Sequence, residues 1–176
     1  MASITRARLR DERGFTLIEI MVVVVVIGIL AAVVVPQFMS ESRKVKGSSE
    51  VNAMFAEIST KQEIFKSENG SYRVMAACPS TPSAQAQSIA TCEATADWTA
   101  LRIHAPEQSL RCSYAVVTGA AGVAPTPPSG FSLQTNPANG WYYALATCDL
   151  DGQTGTNSTY LTSSLDSSIQ VQNEGK

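Results

Sequence analysis

From residue 15 to residue 35 every position is apolar or glycine, except Thr16 and Glu19. These 21 residues make about 31 Å of α-helix at ~1.5 Å per residue, the thickness of a bilayer hydrocarbon core. A helix apolar on every face has little place in a soluble protein, so the pattern predicts a membrane-spanning helix over 15–36. The run at 22–26 is all valine, which lowers helix propensity slightly. In lipid, a helix is still the only way a single segment satisfies its backbone. Gly28 and Pro36 are weak points: glycine adds backbone freedom, and proline removes one hydrogen bond and favours a kink or local melting.

From 37 to 70 the pattern changes. Val51, Met54, Phe55, Ile58 and Phe65 recur on one helical face, while Glu50, Glu57, Lys61, Glu63 and Lys66 occupy the others. This predicts an amphipathic second half of the same helix, packed on a sheet. Gly47-Ser48-Ser49 is a soft spot between the halves, and Asn69-Gly70 is a helix stop.

Residues 71–97 are rich in Ala, Ser, Thr and Pro without a period, and predict a surface loop with a short helix near 84–90. Residues 98–176 predict the head. Strand signals cover 98–103, with Trp98, Ala100 and Arg102 opposite Thr99, Leu101 and Ile103. They continue at 110–117, with Cys112, Tyr114 and Val116 on one face, and at 131–133, 141–147 and 159–163. Pro125, Pro127 and Pro128 make 119–130 a loop, Asp149-Leu150-Asp151-Gly152 reads as a turn, and the tail from Asp166 is polar. The expected fold is α+β: a long N-terminal helix packed on a small antiparallel sheet of about four strands.

Charge adds direction. Arg6, Arg8, Arg10 and Arg13 precede the apolar run, against Asp11 and Glu12; the chain as a whole is −2, which leaves −4 for residues 15–176. Basic residues before the span place the N-terminus in the cytoplasm; Arg43, Lys44 and Lys46 on the far side reduce the asymmetry. The net negative charge gives no reason to expect nucleic acid as a partner. The run is too long for a secretory h-region, and no small-residue cleavage site follows it. A carboxylate at Glu19, on the edge of the span, is either a functional group or a headgroup-level residue just outside it.

Cys78, Cys92, Cys112 and Cys148 all fall in the exported part, where an even count favours disulfides. Three pairings are open. The expected one is Cys78–Cys92, within one loop, and Cys112–Cys148, between two strands. Closing a loop of about 15 residues stabilises by roughly 3 kcal/mol in the chain-entropy picture. No CxxC occurs and His104 is the only histidine, so no zinc site is expected.

The flanks of Glu19 carry a resemblance. Arg13-Gly14-Phe15-Thr16-Leu17-Ile18-Glu19, with Gly28-Ile29-Leu30-Ala31-Ala32 and Pro36 behind it, resembles the N-terminus of type IV prepilins. The close match covers about 26 residues. The resemblance implies that a basic leader, residues 1–14, is removed by a prepilin peptidase between Gly14 and Phe15. It also implies that Phe15 becomes N-methylated, and that Thr16 and Glu19 direct assembly. It further implies a helix (15–36, then 37–70), a loop (71–97) and a sheet head (98–176) with a C-terminal loop. On that basis Glu19 is expected to pair with the α-amino group of Phe15 of its own or a neighbouring subunit.

Other chemistry is sparse. Asp149 and Asp151, with Gln153, Thr154 and Asn157, resemble the start of a calcium loop but lack the terminal Glu of an EF-hand. Some pseudopilins hold calcium in a C-terminal loop; an Asx-rich turn is the plainer reading. No cofactor is otherwise expected. No GxSxG, GxxxxGK[ST] or GxGxxG is present, so neither a hydrolase nor a nucleotide site is supported, and His104 reads as a surface residue. Asn157-Ser158-Thr159 has the form of an N-glycosylation acceptor and reads as a chance match.

The resemblance therefore implies a non-enzymatic subunit of a type IV pilus. It would wait in the inner membrane with its head in the periplasm and polymerise with other copies through its helix at an inner-membrane assembly platform. A type II secretion pseudopilin and a minor pilin acting at the filament tip are the rivals.

Overall fold

The computed structural model describes residues 14–153 and 155–176; the side chain of Ser40 is also outside the description. Arg6, Arg8, Arg10, Asp11, Glu12 and Arg13, expected to belong to a leader, and the calcium candidate Thr154 lie outside the described residues. The chain divides between Met39 and Ser40 into two compact units. Helix α1, Leu17–Asn69, contributes to both.

In the first unit α1 runs without a break through Gly28 and Pro36. The large apolar side chains from Phe15 to Met39 are 49–80% exposed, Val26 the least and Phe15 the most. Such a surface is not stable in water; it calls for lipid or for other apolar surfaces.

In the second unit the helix changes character as its sequence does. Val51, Met54, Phe55 and Ile58 are 0–3% exposed, and Phe65 is partly buried beside them. The helix ends at Gly70, whose φ of 77° only glycine adopts freely, with its N–H donating to the Lys66 carbonyl at 2.7 Å. After it come β1 (Met75–Cys78), β2 (Gln87–Ser88), α2 (Ala90–Glu93), α3 (Ala96–Leu101) and β3 (Ser109–Leu110). Then follow β4 (Ser113–Gly119), β5 (Trp141–Cys148), β6 (Ser158–Ser163) and β7 (Gln170–Gln172). The main sheet has order β1-β4-β5-β6-β7, antiparallel throughout; β2 and β3 form a separate pair.

Alternation along β5 sorts its residues between two cores. Tyr142, Ala144, Ala146 and Cys148 join the α1 stripe, where Phe55 meets Tyr114 edge to face at 6.3 Å. Trp141 and Tyr143 join Phe131 and Leu161 in a second cluster. The Pro-rich β4–β5 connection is pinned to that second face. Trp141 Nε1 donates to the Val123 carbonyl at 2.8 Å, and the Tyr143 hydroxyl donates to the Thr126 carbonyl at 3.2 Å.

The α+β layout agrees with the sequence, but several elements differ. The sheet has five strands, not about four. β1 lies inside the stretch read as a loop, and β7 lies in the polar tail. Residues 98–103 are not a strand. Thr95 caps α3 by accepting the Trp98 N–H, Arg102 closes it with φ 52°, and Trp98 and Leu101 bury at a spacing of three. The short helix expected at 84–90 is displaced to α2, because Gln87 and Ser88 pair with Leu110 and Ser109. The stretch 110–117 is interrupted: the N–H groups of Arg111 and Cys112 donate to the Glu50 carboxylate instead of to a strand. Residues 131–133 form no strand, since the Gln170 side-chain amide takes both the N–H and the carbonyl of Ser132. Gly47 is not a soft spot but a buried contact in unbroken helix, where an added Cβ would collide with Leu150.

Candidate functional site

The residues at the head of α1 form a local structure that the resemblance did not supply. Thr16 precedes the first helical residue and Glu19 lies three positions on. The Thr16 N–H and hydroxyl both donate to Glu19 Oε2 at 3.3 Å, and the Glu19 N–H donates to Thr16 Oγ1 at 3.3 Å. This is a capping box, in which a Thr and a Glu each satisfy the other's free backbone N–H. The signal was present as T-x-x-E before an apolar run. It gives Glu19 a partner inside its own chain, besides the Phe15 amine to which sequence reasoning assigned it. An acid in the first turn also complements the helix dipole.

Gly14 and Phe15 stand before the box, and Phe15 is 80% exposed. A Cβ at Gly14 or at Gly28 would meet nothing within 4 Å. Nothing described in the fold requires glycine at either place, so a steric demand there has to come from another molecule.

The remaining candidates lie in the second unit. Cys78 is bonded to Cys92 and Cys112 to Cys148. The second bond joins β5 to the residue just before β4. Asp149 and Asp151 each cap their own turn: Asp149 Oδ1 accepts the Gly152 N–H at 2.8 Å, and Asp151 Oδ1 accepts the Gln153 N–H at 2.9 Å. Among the described residues no three His, Cys, Asp or Glu side chains gather as a metal site. His104 is exposed after α3, and its backbone N–H donates to Glu57 Oε1 at 3.1 Å.

Sequence reasoning missed two polar residues on α1. Gln62 is fully buried; its amide donates to the Arg73 carbonyl at 2.6 Å and accepts the Arg73 N–H at 2.9 Å, as a strand would. Glu50 is half-buried and accepts from the backbone of Arg111 and Cys112 at 3.0 Å and from the Tyr114 hydroxyl at 3.1 Å. Burial first, and Glu50 second, hold the Tyr114 hydroxyl well above its ordinary pKa. Glu50 looks like one more surface charge in sequence; only the arrival of β4 beneath it reveals its task.

Known proteins resemble this chain over part of its length. The profile of the prokaryotic N-terminal methylation motif matches residues 9–35. The chain is 46% identical over 66 residues to the type II secretion system core protein G of Pseudomonas aeruginosa, covering 36% of this chain and 44% of that one. It is 45% identical over 61 residues to the type IV major pilin protein PilA of Myxococcus xanthus, covering 35% and 27%. It is 38% identical over 64 residues to the type IV wide pilus major component PilA4 of Thermus thermophilus, covering 36% and 48%. The matched stretch spans less than half the length of each of these relatives. No solved structure matches the chain. Motif and relatives alike are those of the prepilin and pseudopilin superfamily.

Proposed function

We propose that this chain, which carries the prokaryotic N-terminal methylation motif, is a structural subunit of a type IV pilus, stored in the inner membrane and polymerised through α1. The observation that carries the reading is the first half of α1, apolar and exposed on every side. In a bilayer those side chains contact lipid. In a fibre they contact other helices, so a subunit passes between two apolar environments with little net change in exposure to water. A prepilin peptidase cuts after Gly14, Phe15 is N-methylated, and an assembly platform with its own motor drives polymerisation. No enzymatic role is assigned. Two disulfides and a loop-covered head suit an extracellular fibre.

A second reading, a type II secretion pseudopilin, is favoured by the 46% identity to core protein G. Deleting the gene separates the two. Loss of sheared surface filaments with intact protein secretion supports the pilus. Loss of secretion with filaments unchanged supports the pseudopilin, and loss of neither removes both.

A further inference from the structure

A hollow of about 220 Å³ lies between α1 and the segment leading into β3 and β4, with Lys46, Ser49, Glu50, Glu107 and Arg111 among its walls. Glu50 is committed to two backbone N–H groups and the Tyr114 hydroxyl. Arg111 is not committed. It is half-buried, its Nε is enclosed without a hydrogen-bond acceptor among the described residues, and it makes no ion pair there. Lys46, at the same hollow, is exposed and likewise unpaired among the described residues. An enclosed Nε holds the planar guanidinium in place, so little side-chain freedom remains to be lost when a counter-charge arrives. A partly desolvated cation that makes no ion pair is unfavourable, and a carboxylate bound in a two-point fork relieves it.

We propose that this hollow receives an Asp or Glu side chain of a second copy of this chain, with Arg111 as the fork and Lys46 as the second cation. The inference rests on the filament reading. Charge favours that occupant: residues 15–176 carry −4, and Glu68, Glu93 and Glu174 are exposed without a cationic partner among the described residues. A doubly charged phosphate would face Glu50 and Glu107 on the walls, whereas one carboxylate adds only one negative charge. A copy that gives an acid from one surface and receives one at another makes a heterologous contact. Such contacts extend into an open fibre instead of closing as a dimer.

The test places a photo-crosslinking residue at Ser49, exposed on the wall of the hollow, in the full chain, and another at Val25 in the apolar run. Cells are irradiated and adducts are mapped by mass spectrometry. The expected result is a subunit–subunit adduct from Ser49 to a peptide containing Asp or Glu. It should be reduced several-fold by Arg111→Gln, less by Arg111→Lys and Lys46→Gln, and not reduced by Glu107→Gln, which removes a like charge from the wall. Disulfides on a non-reducing gel report that each variant has folded. An adduct indifferent to Arg111→Gln, or one to a peptide without an acid, overturns the proposal. So does an adduct lost equally in Glu107→Gln, which would mean a pair within one chain. An adduct from Val25 but none from Ser49 overturns this inference alone. No subunit adduct from either position overturns the filament reading, and this inference with it.

Discussion

Replacing Glu50 by alanine removes the acceptor for three donors at once: the N–H groups of Arg111 and Cys112 and the Tyr114 hydroxyl. Cys112 and Tyr114 are fully buried, whereas Arg111 is only half-buried, beside the hollow. A sealed donor left unpaired costs roughly 1–3 kcal/mol, so two of them give about 3 kcal/mol after allowing for relaxation. Tyr114→Phe removes a single bond and should cost about 1 kcal/mol. Glu50→Gln keeps an accepting oxygen but presents an NH₂ to a site made of donors, and should fall between the two. Because both residues share one bond, the double variant should cost less than the sum of the singles. Glu50→Ala should lower Tm by roughly 10 °C at ~3–4 °C per kcal/mol for a domain of this size. The assay is urea and thermal unfolding of the full chain in detergent with its disulfides intact. A Glu50→Ala variant within about 0.5 kcal/mol of the parent, or strict additivity with Tyr114→Phe, would refute the anchoring role.

Other expectations follow from the same geometry. Glu19→Ala should be cleaved and inserted normally, since losing a charge makes the span more apolar, yet yield few filaments; normal shear yield would leave Glu19 as a helix cap only. Thr16→Ser should keep the bond from the Glu19 N–H to the side-chain oxygen and Thr16→Val should lose it, which a loss of amide protection at Glu19 in detergent would report. Gly47→Val should cost about 1–3 kcal/mol by overpacking against Leu150, and Leu150→Ala in the same chain should give part of it back; no recovery would locate the strain elsewhere. Tyr114 has an ordinary pKa of 10.0, raised in the fold. Its stabilising contribution is therefore complete below about pH 10 and declines at higher pH, by up to ~1.4 kcal/mol per pH unit. Tyr114→Phe should flatten alkaline unfolding by one proton, and an unchanged slope would contradict the burial of that hydroxyl.

Much of this was readable along the chain, for physical reasons that differ from place to place. α1 announces itself because an apolar run of bilayer length and a helical stripe follow one another. β5 and β6 show because aromatic and β-branched residues alternate there. The segment 98–103 misled because six residues serve a period of two or of three equally well, and the deciding signal was the cap at Thr95. β1 and β7 were hidden because they are three or four residues long and take their pairing from β4 and β6. Ser132 showed no sign that a glutamine side chain would replace its strand partner. The capping box is legible as T-x-x-E, although the resemblance points Thr16 and Glu19 to assembly instead. Glu50 and Arg111 gain meaning only when residues some 60 apart meet.

Under the proposed function, this chain leaves the membrane as a processed polymer held by α1. Intact-mass and N-terminal peptide analysis of material sheared from cells expressing the full chain tests this. The sheared chain should begin at Phe15, carry a methyl group on that residue and retain both disulfides. Finding the chain only in the membrane fraction, with residues 1–14 still attached, would contradict it.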